Sequence, residues 1–232
     1  KELREVVCGE DYWSIGALAT WSDIREKELP PAFNALQLAA REVGSKQIQN
    51  RATIVGNICN ASPAADGVPP LLVLDSLVET ISLSGIRRIP LVDFILENRK
   101  IVLNKNELVT RVLVSRAASK GCSTFLKLGS RKYLVISISM VAVRIEADDQ
   151  GHIIEAAIAV GACSAVAQRL KGLERLLIGK KVIEDLSPLV TAVHLNSLTP
   201  IDDVRAKSDY RNDASLTMVH RALSSVLGQF LK

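Results

Sequence analysis

The stretch from Ser45 to Pro70 constrains this chain most, because neither a helical nor an alternating apolar pattern runs through it and Gly, Asn, Ser, Pro and Asp crowd it. A segment of that length without regular structure inside a compact domain is either functional or disordered. Ile48, Ile54, Val55, Ile58 and Val68 are spread along it and argue that it packs down on a core, so an ordered binding loop is expected. Within it, Asn50 to Pro70 reads NRATIVGNICNASPAADGVPP. Gly56 lets backbone approach a ligand closely, while Thr53, Asn57, Asn60 and Ser62 place small hydrogen-bonding side chains around it. Backbone amides with short hydroxyl and amide side chains suit a pyrophosphate, and the single carboxylate of Asp66 suits ribose or ribityl hydroxyls. A solvated polar loop would carry the same residue types, so these residues alone leave both readings open.

On either side of this stretch the chain reads as mixed strand and helix. Glu5 to Gly9 and Tyr12 to Ala17 are short strands, and Phe33, Leu36, Ala40 and Val43 share one helical face that stops at Gly44. Leu77 to Leu83 and Ile86 to Pro90 bracket a tight turn at Ser84-Gly85, and Leu108 to Val114 is a further strand. The character changes at Arg116 to Gly121, where a domain boundary is expected. Beyond it come three strands, around Thr124 to Leu128, Ser137 to Ala147 and His152 to Gly161, whose partial alternation predicts an antiparallel sheet with one covered face. Leu170, Leu173 and Leu177 fit one covering helix, and Leu216 through Phe230 fit a long C-terminal one. The whole is an α+β pattern.

Composition removes several classes of function. The 29 Lys and Arg against 25 Asp and Glu are scattered, and aromatic residues make up only 4%, which argues against a dedicated nucleic-acid binder. No apolar run approaches the roughly 20 residues of a membrane span. Cys8, Cys59, Cys122 and Cys163 form no CxxC pair and are read as buried reduced thiols. His152, His194 and His220 lack partners at ligand spacing, so no metal site is expected. Asp202-Asp203 reads as a solvated loop. Lys127 by itself reads as a lysine on an exposed strand face. Without a secretory signal, a cytoplasmic location fits.

The string ATIVGNICNASPAAD resembles the TxGGN-I-x-x-x-x-P-x-x-D signature of the FAD-binding subunits of molybdenum hydroxylases, the xanthine dehydrogenase and carbon monoxide dehydrogenase type. LVLDSLVET, RKIVLNKNEL, the ASKGCSTF junction and FLKLGSRKYLVISISMVAV fit the same family in the same order, from about Leu3 to near Phe230. The resemblance implies an FAD-binding domain over 1–116, incomplete at its start, and a smaller domain of three strands with helices over 117–232. It implies that Thr53, Val55, Gly56 and Asn57 lie along the FAD diphosphate, that Asn60 and Asp66 hold polar parts of the nucleotide or ribityl chain, and that Leu103 and Lys127 approach the flavin ring. No catalytic side chain of this chain's own is implied, since the flavin performs the redox chemistry. Molybdopterin and two-iron two-sulfur clusters belong to partner subunits in such complexes, and NAD is a common electron acceptor. The alternative is a flavin-free scaffold subunit that only docks the other chains.

Two departures bear on that implication. Where the family has a pair of glycines, this chain has Val55-Gly56, and a valine held at positive φ would be strained by roughly 1 to 3 kcal/mol. The family's glycine-rich loop of AGGTD type does not occur in this sequence, so an N-terminal segment is expected to be missing.

Overall fold

The computed structural model describes residues 2–132 and 134–231. β1 (Val6–Cys8) and β2 (Tyr12–Gly16) are followed by α1 (Trp21–Glu26), α2 (Asn34–Glu42), α3 (Lys46–Gln49), α4 (Ile54–Asn60) and α5 (Val68–Val73). β3 (Leu77–Ser82) and β4 (Gly85–Pro90) form the predicted hairpin, with Ser82 paired to Gly85, so the turn falls at Leu83-Ser84, one residue early. After α6 (Leu91–Phe94) and a small ribbon of β5 (Ile95–Glu97) and β6 (Lys100–Ile101), β7 (Leu108–Ser115) inserts between β2 and β3. The first sheet is thus antiparallel with order β1-β2-β7-β3-β4.

A second antiparallel sheet has order β11-β10-β9-β8, built from β8 (Cys122–Leu128), β9 (Ser139–Ala147), β10 (Ile153–Gly161) and the two-residue β11 (Gln168–Arg169). The fourth strand is too short for any periodicity to announce it. α7 (Lys171–Leu177) and α8 (Ser208–Leu227) follow. No helix among the described residues is long and apolar enough to cross a membrane.

The expected loop from Ser45 to Pro70 is in fact largely helical, holding α3, α4 and α5. These helices span two turns or less, too short for the 3.6-residue period to stand out, and their stability comes from packing rather than propensity. Ser45 and Thr53 cap α3 and α4 with their hydroxyls, while Pro69 and Pro70 sit in the first turn of α5, where no intrahelical N–H bond is lost. Every residue of α5 is buried.

Both faces of the second sheet are covered, not one. Val141, Val143, Ile145, Ile158 and Val160 face α7 and α8 in one core. Phe125, Met140, Ala142, Ala157 and Ala159 turn the other way and join the core of the first sheet. Small side chains on that second face let α5 pack directly on β9 and β10. Gly161 marks the closest approach: a Cβ there would stand 2.8 Å from Pro69 of α5 and 2.5 Å from Met140. Of the four cysteines, all free, only Cys163 is buried; Cys8 is exposed and Cys59 and Cys122 are half-buried.

Candidate functional site

Four residues of the motif lie along one face of α4. Thr53, Gly56, Asn57 and Asn60 are spaced i, i+3, i+4 and i+7, which lines them up on a helix, while Ile54, Val55 and Ile58 turn into the core. Thr53 caps the helix, its hydroxyl accepting from the Gly56 N–H at 3.0 Å. Gly56 is exposed, and a Cβ there would come within 2.9 Å of that hydroxyl oxygen. Val55 has helical backbone and is not among the residues with positive φ, so the strain expected from valine in place of glycine does not arise.

Asn57 links this face to the carboxylate. Its side-chain oxygen accepts from the Gly67 N–H at 3.1 Å, which leaves its NH₂ group for any further partner. Gly67 is required for that approach, because a Cβ would stand 2.8 Å from the Trp21 ring and 2.9 Å from the Asn57 oxygen. The neighbouring Asp66 turns its carboxylate to the second sheet. Lys127 Nζ donates to Asp66 Oδ2 at 2.7 Å and to the Glu42 carbonyl at 3.3 Å, and the Ser137 hydroxyl donates to Asp66 Oδ1 at 2.9 Å.

The Lys127 side chain is 5% exposed, so the reading of a lysine on an open strand face is overturned. β8 puts Lys127 on the same face as Phe125, the face that meets the first sheet's core. Burial pushes the Asp66 carboxyl above its usual range, opposed by the charge and hydrogen bond of Lys127 and by the bond from Ser137. Desolvation therefore outweighs a contact ion pair here, and among the described residues Lys127 and Ser137 hold the charged form.

Asn60, exposed at the end of α4, accepts through its side-chain oxygen from Arg99. The Arg99 N–H also donates to the Ala61 carbonyl at 2.8 Å, fastening the β5–β6 ribbon to α4. Leu103 lies just past that ribbon, half-buried against the first core. Ser137, Gly67 and Arg99 are partners that sequence reading missed, and no spacing pattern marks them.

At Ser137 a cavity of about 660 Å³ opens between the α4–α5 segment with the β5–β6 turn and the loops around the second sheet, lined among others by Ser62, Ala64, Arg99, Ser164 and Arg211. Arg211 is buried and donates to the Ile138 carbonyl at 2.6 Å and to Asp203 at 2.6 Å. Asp203 is thus a structural anion rather than a solvated loop residue. Burial alone would raise its carboxyl, but bonds from Arg205, Arg211 and the Ala206 amide hold it well below the usual range. Among the described residues no group of His, Cys, Asp and Glu is placed to hold a metal ion.

Residues 1–116 match the family described as FAD binding domain in molybdopterin dehydrogenase, and residues 124–226 match the CO dehydrogenase flavoprotein C-terminal domain. The chain belongs to the FAD-binding family of molybdopterin dehydrogenases. It is 34% identical to the nicotinate dehydrogenase FAD-subunit of Eubacterium barkeri over 77% of its own length, spanning 62% of that relative. It is 30% identical to the glyceraldehyde dehydrogenase medium chain of Sulfolobus acidocaldarius, over 97% of this chain and 79% of the relative. In structure it resembles carbon monoxide dehydrogenase from Hydrogenophaga pseudoflava, with a TM-score of 0.85 at 25% identity, covering 98% of this chain and 79% of that one. The family's cofactor is FAD, and the donor set fits it. Short hydroxyl and amide groups share one helix face with an exposed glycine, next to a buried carboxylate and lysine.

Proposed function

We propose that this chain is the flavin subunit of a molybdenum-containing hydroxylase. It receives electrons from iron-sulfur clusters on one partner chain, which a molybdopterin-bearing chain supplies, and hands them to an external acceptor such as NAD. The observation that carries this reading is the junction of the α4 face with the Asp66–Lys127 pair beside a cavity of ligand size. Bound FAD supplies the two-electron and one-electron redox chemistry that links such centres to the acceptor.

In this reading Thr53, Gly56 and Asn57 hold the diphosphate region, with Val55 contributing backbone from the same turn, and Asn60 and Asp66 hold polar parts of the nucleotide. Leu103 packs towards the ring. Lys127 keeps Asp66 ionised and orients the pair at the seam against the flavin ring. The cavity beside Ser137 gives the acceptor its approach, and Arg99 in its wall suits an anionic one.

The rival reading of a flavin-free docking subunit draws on Val55 and on the AGGTD-type loop that this sequence does not contain, and the ordinary helical backbone of Val55 removes the first of these grounds. The test is anaerobic mixing of the natural, flavin-loaded protein with NADH. Bleaching of the flavin absorbance is expected. A flavin that artificial electron donors reduce but NADH does not would exclude NAD as the acceptor.

A further inference from the structure

α5 ties Asp66 to a point on the far side of the domain junction. Only Gly67 separates Asp66 from the helix, and only Leu74 separates the helix from Asp75. Six buried residues form a rod of about 9 Å that cannot shift at one end without shifting at the other. At its C-terminal end two arginines of the second sheet donate to the last carbonyls, the Leu72 carbonyl accepting from the Asp75 N–H as well. Arg144 of β9, 2% exposed, donates from Nε to the Val73 carbonyl at 2.8 Å. Arg169 of β11 donates to the Leu72 carbonyl at 2.8 Å and to Asp75 at 2.8 Å.

Arg169 is itself fixed by a two-pronged bond to Glu174 of α7, at 2.5 and 3.0 Å, and Glu174 also accepts from the Ile158 N–H at 2.9 Å. Strand register puts these groups on the face that meets the first sheet. Lys127 pairs with Met140, which in turn pairs with Gly161, whereas Ser123 pairs with Arg144 and Ala159 pairs with Arg169. One face of the second sheet therefore holds both ends of α5, with Lys127 at the Asp66 end and the two arginines at the Asp75 end.

We infer that Arg144 and Arg169 are positioning residues for the flavin site, acting through α5 to fix where the Asp66 carboxylate stands. Neither arginine is among the groups placed at the nucleotide. The inference rests on the reading of Asp66 as part of the FAD site. A guanidinium is needed because several acceptors lie in different directions, and an ammonium would serve only some of them.

The test is a double-mutant cycle on FAD affinity in the natural protein, titrated by flavin fluorescence quenching. Arg169→Gln should weaken FAD binding about tenfold in the parent, yet by less than about twofold in an Asp66→Asn background, because both changes act on one carboxylate. A merely structural role for Arg169 would give equal weakening in both backgrounds, and that result, or no weakening at all, overturns the inference. Should Arg169→Gln fail to fold, Asp75→Asn carries the same comparison. Its side chain is 55% exposed, and a roughly threefold loss that vanishes with Asp66→Asn is expected, with additivity or no loss counting against the clamp. Asp66→Asn alone binding FAD as tightly as the parent would instead remove Asp66 from the site, and the clamp with it.

Discussion

Lys127→Met removes the charge facing Asp66 while keeping most of the side chain's volume. It should cost about 3 to 5 kcal/mol of folding stability once Asp66 is ionised. The magnitude follows from the geometry: the contact is 2.7 Å, and the two side chains are 5% and 11% exposed, so little water can replace the lysine. Burial already raises the Asp66 carboxyl, and Lys127 supplies two of the three effects that oppose it, its charge and its hydrogen bond. Without Lys127 only the Ser137 hydroxyl remains on that side, so the pKa climbs further.

The variant's folded state then binds a proton that the unfolded chain has released. Its stability therefore falls as pH rises from the ordinary carboxylate value through the raised folded one, and the full deficit appears above it. Urea unfolding of parent and variant from acid to mildly alkaline pH should show a gap that is small in acid and widens with pH. Adding Asp66→Leu to Lys127→Met should close most of the gap, since no buried charge is left alone. A Lys127→Met protein as stable as the parent at alkaline pH, or a deficit independent of pH, would refute the reasoning.

Two further substitutions probe the α4 side of the site. Asn57→Ala removes both the acceptor for the Gly67 N–H and the amide donors placed at the nucleotide, and FAD affinity should drop by about 1.5 to 3 kcal/mol; unchanged affinity in a titration would detach Asn57 from the site. Gly67→Ala forces a methyl group to within 2.8 Å of the Trp21 ring and should lower stability by about 1 to 3 kcal/mol in urea unfolding, with a neutral result showing that Trp21 can move aside.

The parts of the fold that showed in the sequence are those long enough to display a period. β9 and β10 run nine residues each with partial alternation, and α8 carries its apolar stripe from Leu216 onward, while its first turns are polar and did not show. The stretch from Ser45 to Pro70 did not show its helices, because two turns or less of chain built around Gly, Asn and Pro carry no readable stripe. Yet Thr53, Gly56, Asn57 and Asn60 have helical spacing once α4 is known. Lys127 was misread on local grounds because alternation in β8 tells which face a residue takes but not that both faces are covered. Small alanines on β9 and β10 are the sign that a second layer packs there. Ser137 and Arg99 reach the site through tertiary contacts distant in sequence, at 71 and 39 residues from Asp66 and Asn60, and no local pattern encodes such pairs.

The central claim is that this chain holds FAD, and the absorbance spectrum of the purified natural protein tests it most directly. Flavin absorption bands are expected, with the flavin released on denaturation identified as FAD by chromatography and mass. A correctly folded protein that shows no flavin bands and takes up no added FAD would contradict it and leave the docking-subunit reading in its place.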